Sequence, residues 1–509
     1  LNSITIVYNP VAAKVVDPTH QSDLHIQHIL SYMVSGADQQ DSYKTGHWDG
    51  RASFYEMRKH RFPAGFVPAV MQGLRKIGYK VIARRAKMPE SLGPERPIFD
   101  DFAYKDERYD FQAETVDRLV KHGRMIAQVA TGGGKSRIAQ IATARIKRPT
   151  LFLTTRKMLM YQMKDHYENM LDHMGKNIHK VGVMGDGEWC PQHWINVGMV
   201  QTLTARLKPA SVLDSPEKQD SQDAVIRKTR ALLEKFELVI LEEAHEASGK
   251  SYYDILKRCK NSHYRLALTA TPFMKDDEED NMNLMAVAGP VGIRVTEKQL
   301  IDCGILARPI FRFVEPDKPK FLLRNTSWQA AYRLGVVESV SRNAMVLQNG
   351  MLAAKHGLSV LVLIQQQKHG KMLEKAFRKN GVRCRFIFGD SDSKERDMAL
   401  NELKNGDTQV LIGSNILDVG VDCPALGMVI NAAGGKAEVN LRQRIGRGLR
   451  AKKRGPNVCF ILDFADNFNK HLVRHSTTRR AIIQGTPGFA ENILIGNQQF
   501  PYNLFEGTA

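Results

Sequence analysis

The stretch "MIAQVATGGGKSRIAQIATARIK" at residues 125–147 joins an apolar run to an amphipathic run through three consecutive glycines. Residues 125–130 read as a buried strand and residues 135–147 as a helix, with the glycines as the turn between them. Gly132, Gly133 and Gly134 let backbone N–H groups face a phosphate without Cβ obstruction, and the helix that follows adds a favourable dipole. In this frame Thr131 to Ser136 cradle the phosphates of a nucleotide, with Lys135 reaching the β- and γ-phosphates and Ser136 ligating magnesium. The first glycine of the common Gly-x4-Gly-Lys-Ser/Thr form is absent, because Val129 stands there. Even so, Thr-Gly-x-Gly-Lys-Ser/Thr is expected by chance about once in a thousand chains of this length.

The same rhythm continues outward. "TLFLTT" (150–155), "INVGMVQ" (195–201), "FELVILEE" (236–243) and "RLALTAT" (265–271) read as further buried strands, each followed by a helix-length segment. Continuous apolar strands alternating with helices predict a parallel sheet covered on both faces. "MKDDEEDNMN" (274–283) reads as a charged loop and "FVEPDKPKF" (313–321) as a linker. A second series follows in "SVLVLIQ" (359–365), "RFIFG" (385–389), "QVLIGS" (409–414), "GMVINAA" (427–433) and "VCFILDF" (458–464). The expected fold class is therefore α/β: two tandem parallel-sheet domains, at 99–312 and 313–509, behind a small α+β domain at 1–98. Ligand sites are expected at the C-terminal ends of the strands and in a cleft between the two α/β units.

"LEEAHE" (241–246) ends the apolar run "FELVI". A carboxylate at the end of such a strand can hold the magnesium shell, and its neighbour can orient and deprotonate an attacking water. This assigns Glu242 to the metal and Glu243 to the water, although nucleotide hydrolases of this kind usually carry Asp at the first position. Further on, "QRIGRGLR" (443–450) places Gln443, Arg447 and Arg450 around a glycine turn. Guanidinium groups in that arrangement suit the transition-state charge of phosphoryl transfer.

Charge points to the partner. The 509 residues carry 73 Lys and Arg against 54 Asp and Glu, a net charge of +19. Residues 51–88 hold ten Lys/Arg and one acid, and residues 442–480 hold eleven Lys/Arg and two. Such clustering with interleaved aromatics predicts a nucleic-acid partner. No stretch approaches the ~18–20 apolar residues of a membrane helix, and the start lacks the pattern of a secretory signal. The six cysteines are scattered, and Cys190 and His193 in "CPQH" lack a second ligand pair for zinc. Reduced thiols and a cytoplasmic location, in a bacterium or a phage-infected host, are expected.

The order of these motifs resembles superfamily 2 helicases and translocases, with tandem RecA-like domains, from about residue 105 to 465. In "RYDFQ" (108–112) the resemblance implies that Gln112 reads adenine, with Phe111 or Tyr109 nearby. "TTRKMLMYQ" (154–162) and "VQTL" (200–203) imply strand contacts through Thr155, Arg156, Gln201 and Thr202. "LTATP" (268–272) implies that Thr269 and Thr271, with His245 of "EEAH", couple hydrolysis to strand binding. "ILDVGVDCPAL" (416–426) implies nucleotide sensing by Gly420 and Asp422. Family members usually hold magnesium through water at the first carboxylate, so the longer arm of Glu242 is expected to keep the metal.

A finer resemblance is to the phage UvsW-like branch-migration helicases, relatives of the XPB group. It rests on "YKTGHWDGRASFYEMRKHRFPAGF" (43–66), "GVMGDGEW" (182–189), "ATPFMKDDEED" (270–280) and "GILARPIF" (304–311). It implies a duplex-binding N-terminal domain in which Arg51, Arg58, Lys59 and Arg61 contact phosphates. Trp48, Tyr55 and Phe62 compete there between base contacts and the core of a small domain. The implied protein is a monomeric motor using ATP and Mg2+ that unwinds or branch-migrates forks, junctions and displaced strands. Its partners would be branched, duplex and single-stranded DNA, RNA in R-loops, and replication or recombination proteins, with no membrane. An RNA or RNA–DNA hybrid helicase shares these motifs, because backbone grip does not encode the sugar. A restriction-type nuclease motor would need an Asp…Glu-x-Lys constellation, which the chain does not display.

Overall fold

The computed structural model describes the chain apart from residues 1–2, 98–105, 174–179, 212–213, 245–248, 274–276, 389–392, 414–425, 435–444, 446–448, 453–454, 497 and 506–509. The chain divides into two compact units, residues 1–129 with 134–294, and residues 130–133 with 295–509.

The first unit begins with β1 (Ser3–Tyr8), β2 (Ala12–Val16), β3 (Ser31–Met33), β4 (Arg51–Ser53), β5 (Arg61–Pro63) and β6 (Lys80–Arg85). Four of these form a sheet in the order β5-β2-β1-β6, and β3 pairs with β4. Alternation in β1 turns Ile4 and Ile6 inward, against Ile26 of the helix His20–Ile29 and against Val70 and Leu74 of the helix Val67–Lys76. Tyr55 and Phe62 belong to this core, so packing wins for those two rings. Trp48 is half-buried and donates its indole N–H to the Arg51 carbonyl at 2.8 Å.

β7 (Arg124–Val129), β8 (Thr150–Thr154), β9 (Gly182–Gly185), β10 (Glu188–Cys190), β11 (Ile195–Met199), β12 (Leu238–Glu242), β13 (Tyr264–Thr269) and β14 (Val291–Val295) form an eight-stranded sheet. Its order is β10-β9-β11-β8-β12-β13-β7-β14. The central pairs from β9 to β7 are parallel, whereas β10 returns antiparallel to β9. Every residue of β8, β12 and β13 is buried, which is why these strands read as unbroken apolar runs.

One expectation is corrected. The acidic stretch expected as a loop is largely helix, Glu278–Ala288. Asp277 caps it by accepting from the Asp280 N–H, and Glu278, Glu279 and Asp280 lie in the first turn, where the helix dipole favours negative charge. This helix, within the same unit, is where the N-terminal strands make contact. Met33 N–H donates to Glu278 at 2.8 Å, Ser35 Oγ to Asp277 at 2.6 Å, and Arg51 Nη2 to Glu278 at 3.3 Å. At Gly65 a Cβ would stand 2.1 Å from the Met285 carbonyl oxygen, so only glycine permits that backbone approach.

The second unit contains β15 (Arg308–Val314), β16 (Val360–Leu363), β17 (Cys384–Ile387), β18 (Val410–Gly413), β19 (Met428–Asn431) and β20 (Val458–Phe464), in the order β15-β20-β19-β16-β18-β17. All five pairings are parallel. Both large sheets thus have the expected RecA-like α/β construction. Among the described residues no helix is long and apolar enough to cross a membrane.

Candidate active site

In the first unit β13 lies between β7 and β12. The glycine loop leaves β7, and the carboxylate pair leaves β12 one strand further along, so parallel order brings both to the same sheet edge. Gly132 and Gly134 have φ of 90° and 77°, the left-handed region that glycine tolerates. Gly134 is the N-cap of the helix Lys135–Ile146, which directs Lys135 and Ser136 from its first turn. A Cβ on Gly134 would meet Gln112 Nε2 at 2.4 Å. Gln112, buried on the helix Asp110–His122, therefore stands against the phosphate loop, with Phe111 half-buried beside it. Thr131 is likewise half-buried in the loop.

Across the gap, Lys135 Nζ is 3.5 Å from Glu243 Oε1, and their side chains are 9% and 8% exposed. Glu243 holds φ of 47°, an uncommon backbone for a residue with a Cβ. Glutamate kept in that conformation, facing the loop lysine, is the kind of strain that concentrates at functional sites. Glu242 is buried at the end of β12, opposite Leu268 in the register with β13, and its carbonyl accepts from the Tyr252 hydroxyl at 3.4 Å. From the adjacent strand end, Thr269 Oγ1 accepts from Thr271 N–H at 3.1 Å, and Gln128 of β7 donates to the Ala270 carbonyl at 3.3 Å. Thr269 and Thr271 are thereby tied to the strand that leads into the phosphate loop.

Two of the expected strand-contact segments also meet. Gln201 Nε2 donates to the Thr155 carbonyl at 2.9 Å, bringing 155–156 and 201–202 together at the ends of β8 and β11. The four arginine and lysine candidates of the N-terminal domain do not share one situation. Arg58 and Arg61 are exposed, Lys59 is exposed with Glu56 at 3.0 Å, and Arg51 is held by Ser31 and Glu278 in the docking contact. In the second unit, Arg450 bridges to Leu306, and burial lowers its pKa. His245, Gly420, Asp422, Gln443 and Arg447 lie outside the described residues.

Sequence reasoning missed several buried polar groups. Arg342 pairs with Asp466 at 2.7 Å and Arg479 with Asp463 at 3.0 Å inside the second unit. His369 is fully buried, with Nε2 2.8 Å from Asn343 Oδ1; burial, then Arg342, pushes its pKa down to about 4. Only the spacing of an arginine in one helix from an aspartate after a distant strand could have signalled the first pair, and spacing that long carries no pattern.

The residues present suit Mg–ATP: a glycine cradle at a helix N-terminus, a buried lysine and two carboxylates. With tandem RecA-like sheets, they make this chain a superfamily 2 helicase, an enzyme that hydrolyses ATP. Residues 105–274 match the family model for the res subunit of type III restriction enzymes, and residues 343–452 that for the helicase conserved C-terminal domain. The chain is similar to the ATP-dependent DNA helicase uvsW of Enterobacteria phage T4, at 21% identity over 468 residues and 88% of each chain. It is also similar to the DNA 3'-5' translocase XPB2 of Sulfurisphaera tokodaii, at 24% identity over 414 residues, 72% of this chain and 85% of the relative. Among solved structures, the helicase MrfA bound to DNA and AMPPNP shares the fold at TM-score 0.52 and 15% identity, across 78% of this chain and 55% of that one.

Proposed function

We propose that the protein is an ATP-driven DNA motor that unwinds or branch-migrates branched DNA such as forks, junctions and displaced strands. The observation that carries this reading is the basic N-terminal region: it holds a four-stranded sheet between residues 3 and 85, presents exposed Arg58 and Arg61, and is hydrogen-bonded to the helix Glu278–Ala288 and its cap. The similarity to a phage DNA helicase across 88% of both chains supports the same reading.

Bound Mg–ATP would supply the γ-phosphoryl group for transfer to water. Thr131 to Ser136 would hold the phosphates, with Ser136 and Glu242 on the magnesium shell and Phe111 and Gln112 at the base. Glu243 would orient the attacking water and take its proton, which requires the carboxylate to leave Lys135. Gln443, Arg447 and Arg450 would offset the charge that develops on the phosphoryl oxygens. Thr269 and Thr271 would pass the change to Thr155, Arg156, Gln201 and Thr202 on the strand.

The test is the ATPase rate with single-stranded, duplex, forked and four-way DNA and with RNA, Lys135→Ala being the control. Forked and four-way DNA should stimulate most. Stimulation by RNA alone, or by no nucleic acid, refutes the proposal.

A further inference from the structure

A cavity of about 980 Å³ opens between the N-terminal domain and the first RecA-like domain, within the first unit. Tyr8, Val67, Met71 and Met125 give it apolar walls; Arg75, Lys121 and Arg124 are among the cations lining it, and among the described residues no acid does. Arg75 and Lys121 are exposed at its edge. Arg124 is different. It is 8% exposed, its Nη2 donates to the Pro10 carbonyl at 2.7 Å, and its Nη1 is buried without a hydrogen-bond partner among the described residues.

A buried guanidinium normally faces a carboxylate or a full set of carbonyls. Here the cross-strand neighbour in the β7–β13 register is another buried arginine, Arg265, whose Nε donates to Ser262 and whose Nη2 donates to the Leu256 and Cys259 carbonyls. Arg85 adds a third guanidinium, bonded to the His122 and His263 carbonyls. Burial, then Arg265 and Arg85, holds the Arg124 pKa well below its usual value. The cluster is short of negative charge, and Arg124, which also lines the cavity, carries that excess of positive charge to it.

We propose that this cavity is a nucleic-acid subsite that takes a single-stranded nucleotide, with its phosphate on Arg75 and Lys121 in the field of the buried Arg124 and its base against Tyr8, Val67 and Met71. This rests on the DNA-motor reading. The volume lies at the upper end of ordinary ligand pockets, roughly 300–1,000 Å³. A nucleotide carries a multi-acceptor anion and a flat apolar face within one residue, which matches a deep cation among apolar walls. An acidic peptide divides these features between different side chains and fits less well.

The experiment uses the full chain and an oligothymidylate of ~8 residues, a length within the usual range of single-strand sites, bearing a photoreactive 5-iodouracil. Crosslinks should fall in the tryptic peptides that carry Tyr8 and Val67 to Met71. Arg75→Glu with Lys121→Glu should reduce those crosslinks severalfold and lower the salt slope of oligonucleotide binding by about one to two, leaving basal ATPase unchanged. Because Arg124→Met could disturb folding, the exposed pair carries the test. The subsite is refuted if DNA stimulates the ATPase but crosslinks map only to Thr155–Arg156 and Gln201–Thr202, or if an Asp- and Phe-rich peptide binds the cavity and the oligonucleotide does not compete. If no DNA binds or stimulates, the motor reading falls, and the subsite with it.

Discussion

Glu243→Gln separates the two roles the site gives this residue. As base, Glu243 takes a proton from water, and glutamine cannot, so turnover should fall by at least the roughly 10²–10⁴-fold that general-base catalysis contributes. As partner, it neutralises Lys135 across 3.5 Å in a pocket where both side chains are under 10% exposed. Removing one member of a buried, contacting pair costs about 3–5 kcal/mol. Since 3.5 Å exceeds the ~2.7–2.9 Å of a charge-assisted hydrogen bond, we take about 2 kcal/mol for the free enzyme. ATP phosphates then supply the charge that Lys135 has lost, and nucleotide no longer has to displace the carboxylate. Affinity for ATP should therefore rise, by up to about 30-fold for that 2 kcal/mol. Equilibrium binding of a fluorescent ATP analogue and steady-state phosphate release test this together. Near-normal hydrolysis refutes the assignment of the base, and weaker nucleotide binding refutes the argument from the lysine pair.

Glu242→Asp, which shortens the magnesium-side carboxylate, should change the rate by no more than severalfold, because a metal-bound water absorbs one methylene; magnesium titration of the ATPase checks this. Neutralising Arg58, Lys59 and Arg61 to Gln should lower the salt slope of duplex binding by about two to three with basal ATPase intact, whereas Arg51→Gln should loosen the contact with Glu278, read as faster hydrogen exchange in residues 278–288. His369 is held neutral, with a pKa pushed down to about 4 from the ordinary 6.5. The stability this gives is complete above pH ~6.5 and is lost as pH falls toward about 4, and the gap corresponds to about 3 kcal/mol at most. Urea unfolding between pH 7.5 and 4.5 should show the decline, and His369→Gln should flatten it.

The sheet cores were legible because a strand buried on both faces must be apolar along its length, as β8, β12 and β13 are. The phosphate loop was legible because three glycines before Lys135 have few other uses. The helix Glu278–Ala288 was not, since acidic residues in a first turn and in a solvated loop look alike until the cap at Asp277 is seen. Neither was the left-handed backbone of Glu243, because nothing in "LEEAHE" encodes a positive φ. The aromatic residues of the N-terminal domain could be weighed only as alternatives, since a small core and a nucleobase attract the same side chains.

Gly65 sets a rule for exchanging parts between relatives. Its Cα faces the Met285 and Ala286 carbonyl oxygens so closely that a single Cβ would have to displace main chain. The N-terminal domain is therefore not an interchangeable cassette joined only by the peptide leading into residue 106. A chimera that imports a foreign N-terminal domain must import the matching segment around residues 277–288 with it, or leave the two halves tethered but unseated. A single recombination breakpoint that preserves activity should consequently fall outside 65–288, because one inside it would part Gly65 from Met285 and Ala286.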